Sequence, residues 1–234
     1  MCTLTYRLTT KGYELFFNRD EQRSRDQAIP PQVNDELNAI YPIDPVGKGT
    51  WLAVHQSGVS LALLNYYQAE KKVSGKSFNS RGEIILTLLS CTGNIIETLK
   101  AMTLTCYQPF QLCIFMANLS LSSNKVIFFQ WDGECLTELQ QTMPITSSGV
   151  DYPEVYQARK NKFNRMVSAE NPTAEQLISF HKSTQSNGKL SVQMSRADAQ
   201  TVSFSHICVE EDIQFTYFDY LNNQQEHSNI PRIN

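Results

Sequence analysis

The chain has 234 residues, of which 41% are hydrophobic, enough to bury the core of one large domain. Its 20 basic and 23 acidic residues are mixed along the chain and leave a net charge of -3, which disfavours nucleic acid as a partner. No segment reaches the roughly 18 uninterrupted apolar residues that span a bilayer, and the first residues lack the apolar core of a secretory signal, so we expect a cytoplasmic protein without stable membrane insertion.

The first predicted element is a β-hairpin. The segment CTLTYRL alternates apolar and polar residues, which is typical of a strand with one solvated face, and YELFF is predicted as a second strand after the TTKG turn. This hairpin would place Cys2 at the start of one strand and Arg19 near the end of its neighbour. Because paired antiparallel strands lie side by side, we expect these two residues to be close in space.

In the middle of the chain, the sequence pattern predicts a long irregular segment, a second hairpin and two helices. Residues 21–49 are polar and contain four prolines, so we expect a long irregular segment there. The segments TWLAVHQ and VSLALLNYY predict a hairpin in a sheet that is covered on both faces, because their apolar runs are nearly continuous. Helical spacing begins at Arg81 and is interrupted at Gly93, which predicts two helices over one sheet face.

The second half of the chain mixes strands and helices without regular βαβ order. Strands are predicted at QLCIFMANL, KVIFFQWD and Cys135–Leu139, and then at KLSVQM, TVSFSHICV and IQFTYFDY. Between these groups we predict an amphipathic helix from Tyr152 to Val167 and a shorter helix capped by Thr173. The order favours an α+β fold of two stacked, mainly antiparallel sheets with outer helices, in a single domain over residues 1–234.

Cys2 is the residue whose position suggests chemistry. A small second residue permits removal of Met1, which would leave one residue with both a thiol and a free α-amino group. The amine, whose ordinary pKa is about 8, can then act as the base that activates the thiol. This is an N-terminal nucleophile arrangement, and its alternative is an ordinary start of the chain.

Other polar residues suit the same task. The Arg19 guanidinium would favour the thiolate, the Asp20 carboxylate could orient the α-amine, and the Asn65 amide could donate to a developing oxyanion. The alternatives are a solvated charge pair at a hairpin end and an asparagine that ends a strand. Ser147 and Ser148 are either donors to a pocket or caps for the helix that follows.

The remaining cysteines and histidines do not indicate a metal site. The six cysteines lack CxxC spacing and a histidine at ligand distance, so we expect free thiols. The histidines occur singly, and each is interpreted as a surface or hydrogen-bonded residue rather than an iron ligand. They are His55, His181, His206 and His227.

Six segments occur in a recognisable order: MCTLTY, FFNRDEQRSR, GKGTWLAVHQSGVSLALLNYY, SRGE, ITSSGVDYPEVYQARKNKF and DAQTVSFSHICV. Together they resemble the NRDE (transport and Golgi organisation protein 2-like) family over nearly the whole chain. The resemblance implies the four-layer αββα sandwich of N-terminal nucleophile hydrolases. Cysteine enzymes of that superfamily, which cleave bile-salt and penicillin amides, have site residues similar to Cys2, Arg19, Asp20 and Asn65. A second oxyanion asparagine is not matched.

For the family itself, the resemblance implies trafficking of haem as cargo between donor and acceptor proteins, or binding of acyl-coenzyme A. Haem, or another hydrophobic carboxylate ligand, would be held by arginine at its propionates, with or without thiolate ligation of the iron. Coenzyme A phosphates would meet Arg19 or Lys48. The hydrolase alternative, cleavage of a small acyl amide, needs no metal. The pocket implied for these ligands is lined by Cys2, Asn18, Arg19, Asp20, Glu21, Trp51, Asn65, Tyr66 and Ser147.

Overall fold

Two antiparallel sheets lie face to face in the computed structural model, which describes residues 2–70, 77–123, 125–185 and 187–233. The strands are β1 (Cys2–Leu8), β2 (Tyr13–Gln22), β3 (Ile29–Asn34), β4 (Ala39–Ile43), β5 (Leu52–His55), β6 (Ser60–Asn65), β7 (Phe110–Phe115), β8 (Ile127–Trp131), β9 (Leu136–Leu139), β10 (Ile145–Ser147), β11 (Ala199–Val209), β12 (Asp212–Asp219) and β13 (Gln224–Pro231). The helices are α1 (Gly82–Leu89), α2 (Ile95–Ala101), α3 (Tyr152–Met166) and α4 (Ala174–His181).

The sheets and helices form four layers. The six-stranded sheet has the order β10-β1-β2-β11-β12-β13, and the seven-stranded sheet runs from β3 to β9 in chain order. One apolar cluster fills the space between the sheets, a second lies between the seven-stranded sheet and α1–α2, and a third lies between the six-stranded sheet and α3–α4. The predicted α+β fold, an αββα sandwich, is therefore confirmed.

Several predicted elements are also confirmed. Both hairpins form, and α1 and α2 flank the break at Gly93. Helix α4 begins with a capping box, in which Thr173 Oγ1 accepts a hydrogen bond from the backbone N–H of Gln176 and the Gln176 side chain accepts one from the backbone N–H of Thr173. In the described part of the chain, no helix combines the length and apolar character needed to cross a bilayer.

The solvated face predicted for β1 is wrong. Thr3 and Thr5 are fully buried, because α3 and α4 cover the outer face of this sheet. Their hydroxyls have polar partners there: Thr3 Oγ1 accepts a hydrogen bond from Arg159, and Thr5 Oγ1 lies 2.8 Å from His181 Nε2. In β1, the alternation of threonine with apolar residues therefore belongs to a strand whose outer face is covered by helices at Thr3 and Thr5, while Arg7 stays partly exposed.

The irregular segment predicted at residues 21–49 is also wrong, because it contains β3 and β4. Pro30 and Pro31 are tolerated in β3 because it is the edge strand of its sheet, where a missing N–H donor costs little. Conversely, KLSVQM is not a strand. Its first two residues end a short 3-10 helix, Gly188–Leu190, and the loop that follows buries Val192 and Met194. The short β10 and the exposed, polar edge strand β13 were not predicted.

Candidate functional site

Strand register brings Cys2 and Arg19 together. Cys2 is the Cα partner of Arg19 on β2 and of Ser147 on β10, so the three side chains lie on the same face of the sheet. This face is the inner one, because Cys2 packs against the cluster between the two sheets. The closeness predicted for Cys2 and Arg19 is therefore present in the structure.

A cavity of about 650 Å³ lies beside this pair. Of the residues predicted for the pocket, six line it: Cys2, Arg19, Asp20, Glu21, Trp51 and Asn65. The opposite wall comes from the GKGTW and SRGE segments, which meet where Gly82 contacts the backbone of Thr50. A Cβ at Gly82 would lie 2.7 Å from Thr50 N, so a larger residue would push this wall apart.

The segment from Asn18 to Glu21 is divided between the two faces of β2, because successive side chains of a strand point to opposite sides. Arg19 and Glu21 serve the cavity. Asn18 does not line it: its side chain is fully buried on the outer side, where Nδ2 donates to the carbonyl oxygens of His181 and Val192 at 2.8 and 3.0 Å. The structure therefore does not place Asn18 in the pocket.

Asp20 has its backbone at the cavity and its side chain on the outer side of the six-stranded sheet. Its backbone borders the cavity beside Cys2, where its N–H bonds to the thiol. Its carboxylate accepts a hydrogen bond from Thr201 Oγ1 at 2.6 Å and pairs with Arg159 Nη2 at 3.2 Å. The Asp20 side chain is fully buried, so this charge is held out of contact with water.

Arg19 belongs to a closed ring of four charged side chains. Its Nη2 lies 3.2 Å from Glu21 Oε2 and 3.6 Å from Asp44 Oδ2. Arg25 closes the ring, with Nη2 at 2.6 Å from Asp44 and Nε at 3.6 Å from Glu21. The guanidinium also stacks over Trp51, 4.1 Å from the ring centroid. An anionic ligand would have to compete with two carboxylates for Arg19.

The Cys2 thiol is predominantly protonated at neutral pH. Burial raises its pKa, and the negative charge of Asp20 raises it further. The positive charge of the amino terminus lowers the pKa most, and the backbone hydrogen bond from Asp20 and the positive charge of Arg19 lower it further, but together they do not offset the effect of burial. Arg19 therefore favours the thiolate, as expected, without making it the resting form, and nucleophilic chemistry at Cys2 would need a base.

Asn65, at the end of β6, lines the same cavity as Cys2. Its Nδ2 donates to the Tyr67 hydroxyl at 2.9 Å, and its backbone carbonyl accepts a hydrogen bond from Ser147 Oγ at 2.6 Å. Ser147 thus ties the two sheets together next to Cys2, although it does not line the cavity. Tyr66 does not line it either, and its backbone N–H donates to the carbonyl of Pro109.

The capping role considered for Ser147 and Ser148 is wrong. Ser147 is a strand residue of β10, and Ser148 Oγ donates to the backbone carbonyl of Val150. The N-cap of α3 is Asp151, whose side chain makes no capping hydrogen bond.

The sequence did not indicate Arg25, Asp44 or Arg159. Arg25 and Asp44 lie in the segment interpreted as irregular, so no periodicity marked them. Arg159 is four residues after the buried Val155 and therefore on the same face of α3, which was the available signal. Within the described ranges, no group of three or more histidine, cysteine, aspartate or glutamate residues is arranged to hold a metal ion.

Comparisons with known proteins agree with this architecture. The family model for Transport and Golgi organisation 2 matches residues 1–225 of the chain. Among solved structures, the chain is similar to a Caenorhabditis elegans N-acylethanolamine-hydrolyzing acid amidase (NAAA) ortholog, with a TM-score of 0.58 and 8% identity over 88% of this chain and 92% of the other. At that identity the likeness shows a common N-terminal nucleophile hydrolase-like fold and nothing more. None of the curated proteins matches the chain.

Proposed function

The chain belongs to the Transport and Golgi organisation 2 family, and from this premise we propose that its cavity binds a small acyl amide that Cys2 cleaves as an N-terminal nucleophile. The observation that carries the proposal is the placement of the Cys2 thiol, the Arg19 guanidinium and the Asn65 amide around one cavity, with Asp20 directly behind it. The fold shared with an amidase supports this reading by analogy.

The proposed reaction follows from the state of the thiol. After removal of Met1, the α-amine of Cys2 takes the thiol proton, which is necessary because burial raises the pKa of that thiol. The thiolate adds to the amide carbonyl carbon, the C–N bond breaks, and the amine leaves with the proton. Water then hydrolyses the thioester, which releases the carboxylic acid and restores the thiol.

Asn65 and Arg19 would stabilise charges in this reaction without forming covalent bonds. The second N–H of the Asn65 amide remains to donate to the oxyanion that forms on the carbonyl, while the first is held by Tyr67. Arg19 is fixed by its two carboxylate partners and by Trp51, so its positive charge favours the thiolate from a constant position.

The test combines mass analysis with hydrolysis of an acyl p-nitroanilide. We expect the intact mass to show loss of Met1 and Cys2→Ala to reduce hydrolysis by more than about a hundredfold. Cys135→Ser is the matched control, because Cys135 is an exposed thiol that does not line the cavity, and it should leave the rate unchanged. Retained Met1, or equal rates for both variants, would refute the proposal.

Haem binding and transfer is the second candidate, favoured by the size of the cavity and its aromatic lining from Trp51, Tyr67 and Phe78. Lys48 is the cation available to a propionate, since it is exposed on the cavity wall and has no ion pair with any described residue. Arg19 is less suited to this role than the sequence suggested, because it is already paired. Cys2 would be a weak iron ligand, since burial raises the pKa of its thiol.

Haem titration separates this candidate from the first. If the cavity carries haem, a Soret band should saturate at one equivalent, and Lys48→Ala should weaken binding about tenfold, whereas Lys11→Ala, which removes an exposed charge outside the cavity, should not. Transfer of haem to an acceptor protein would be observed as loss of that band.

Thermal melts with haem and with acyl-coenzyme A would rank the two ligands, because a ligand bound only by the native state raises the melting temperature. If no saturable Soret band appears, haem is excluded as a ligand of this cavity.

A further inference from the structure

We infer that Arg159 is a positioning residue that fixes Cys2 and Asp20 from behind the sheet, an inference that rests on the proposed hydrolase function. Arg159 comes from α3 and is fully buried on the outer side of the six-stranded sheet, opposite the cavity. Its Nη1 donates to Thr3 Oγ1, and its Nη2 donates to Asp20 Oδ2 at 3.2 Å. It touches neither the cavity nor the thiol.

The two partners of Arg159 are the chain neighbours of the site residues. Thr3 follows Cys2, and Asp20 follows Arg19, which is the residue paired with Cys2 across the strands. One planar guanidinium therefore holds β1 and β2 directly behind the Cys2 and Arg19 pair. Two separate N–H groups in a rigid fork suit this task, and a lysine ammonium offers no such fixed pair.

Arg159 also compensates the buried negative charge of Asp20. An ionised carboxylate as buried as that of Asp20 is strongly disfavoured unless it is paired and hydrogen-bonded. Arg159 supplies the opposite charge, and Thr201 supplies a neutral hydrogen bond. The neighbouring His181 adds no charge, because burial and the positive charge of Arg159 lower its pKa to about 3. Arg159 thus fixes the carboxylate of Asp20, the group that the proposed reaction would use to orient the α-amine of Cys2.

The experiment compares Arg159→Met, Arg159→Lys and the control Arg7→Met in protein that lacks Met1. Arg7 extends from the same strand pair as Thr3 and forms an ion pair with Glu14 at 2.6 Å, away from the cavity. The first readout is the rate of Cys2 alkylation by iodoacetamide as a function of pH, mapped by peptide mass. The second is kcat and KM for the acyl anilide, and melting temperatures report stability.

Arg159→Met should slow Cys2 alkylation about tenfold and change the shape of its pH profile, because the α-amine is no longer held to accept the thiol proton. Arg159→Lys keeps the charge but cannot bond both partners. Its rate of Cys2 alkylation should lie between those of Arg159→Met and the unmutated protein, about threefold below the latter. Arg7→Met should lower the melting temperature and leave the alkylation profile within about twofold. For the anilide, kcat should fall while KM stays constant.

An Arg159→Met protein that is folded and reacts like Arg7→Met would overturn the inference and leave Arg159 a purely structural residue. If Arg159→Met does not fold, Arg159→Lys decides, and unchanged alkylation there would also overturn it. If the unmutated protein hydrolyses no amide while the alkylation differences persist, the proposed function fails and the positioning role stands.

Discussion

The pKa of the Asp44 carboxyl is set by opposing electrostatic effects. Burial raises the pKa of the Asp44 carboxyl, but the hydrogen bond and charge of Arg25, the backbone N–H of Gly47 and the charge of Arg19 together outweigh burial, so the pKa lies below its ordinary value. The charge of Asp44 is thus stabilised within the ring of Arg19, Glu21, Arg25 and Asp44. The ring joins the two sheets at the cavity, because Arg19 lies in β2 and Asp44 follows β4.

The Asp44 charge should therefore stabilise the fold in a pH-dependent way. Because the folded pKa is depressed, this stabilisation is complete above the ordinary value of 3.8 and is lost as the pH falls through the folded pKa. We expect Asp44→Asn to lower the free energy of unfolding by roughly 2 kcal/mol at pH 7, measured by urea titration.

The difference between Asp44→Asn and the unmutated protein should shrink below pH 3.8, where the native carboxylate also takes up a proton. Asp198→Asn is the control, because Asp198 pairs with Arg196 on the surface, where ion pairs contribute little. A difference that stays constant as the pH is lowered would show that the Asp44 charge has no stabilising role.

At the scale of elements, alternation along β2 decides which residues of the Asn18 to Glu21 segment serve the cavity. The hairpin, and with it the pairing of Cys2 with Arg19, was predictable because two short strands and a turn fix their own register. The burial of Asn18 on the outer face was not predictable, because the sequence shows no sign that α4 covers that face. The edge strands β3 and β13 were missed for a different reason. An edge strand need not be apolar, so these segments lack the apolar alternation by which a strand is recognised.

Asn18 should accordingly matter for stability and not for the cavity. Asn18→Ala removes the donor to two buried carbonyl groups, of His181 and Val192, and should lower the free energy of unfolding by about 2–4 kcal/mol in urea titrations. Cys2 alkylation should be unchanged at a temperature where the variant is folded. Asn161→Ala, on the exposed face of α3, should alter neither quantity. Slower Cys2 alkylation in folded Asn18→Ala would instead assign Asn18 to the site.

At the scale of the whole molecule, the four layers bring segments that are distant in sequence to one end of the sandwich. The amino end of β1, the turn after β4, the end of β6 and the start of α1 line the cavity, and α3 supports it from outside. The layers themselves could be predicted from the order of strands and helices. Contacts such as Arg159 with Asp20 could not, because they depend on how a helix docks on a sheet, and no local pattern specifies that docking.

The reactivity of Cys2 can be tested by covalent labelling of the folded, Met1-free protein with one equivalent of an electrophilic β-lactam probe, followed by mass mapping of all six cysteines. We expect a single adduct on Cys2 and none on the exposed Cys135, because Cys2 carries the α-amine and lines the cavity beside Asn65, which no other cysteine in the described part of the chain lines. Adducts on Cys135 with Cys2 unmodified would contradict this expectation.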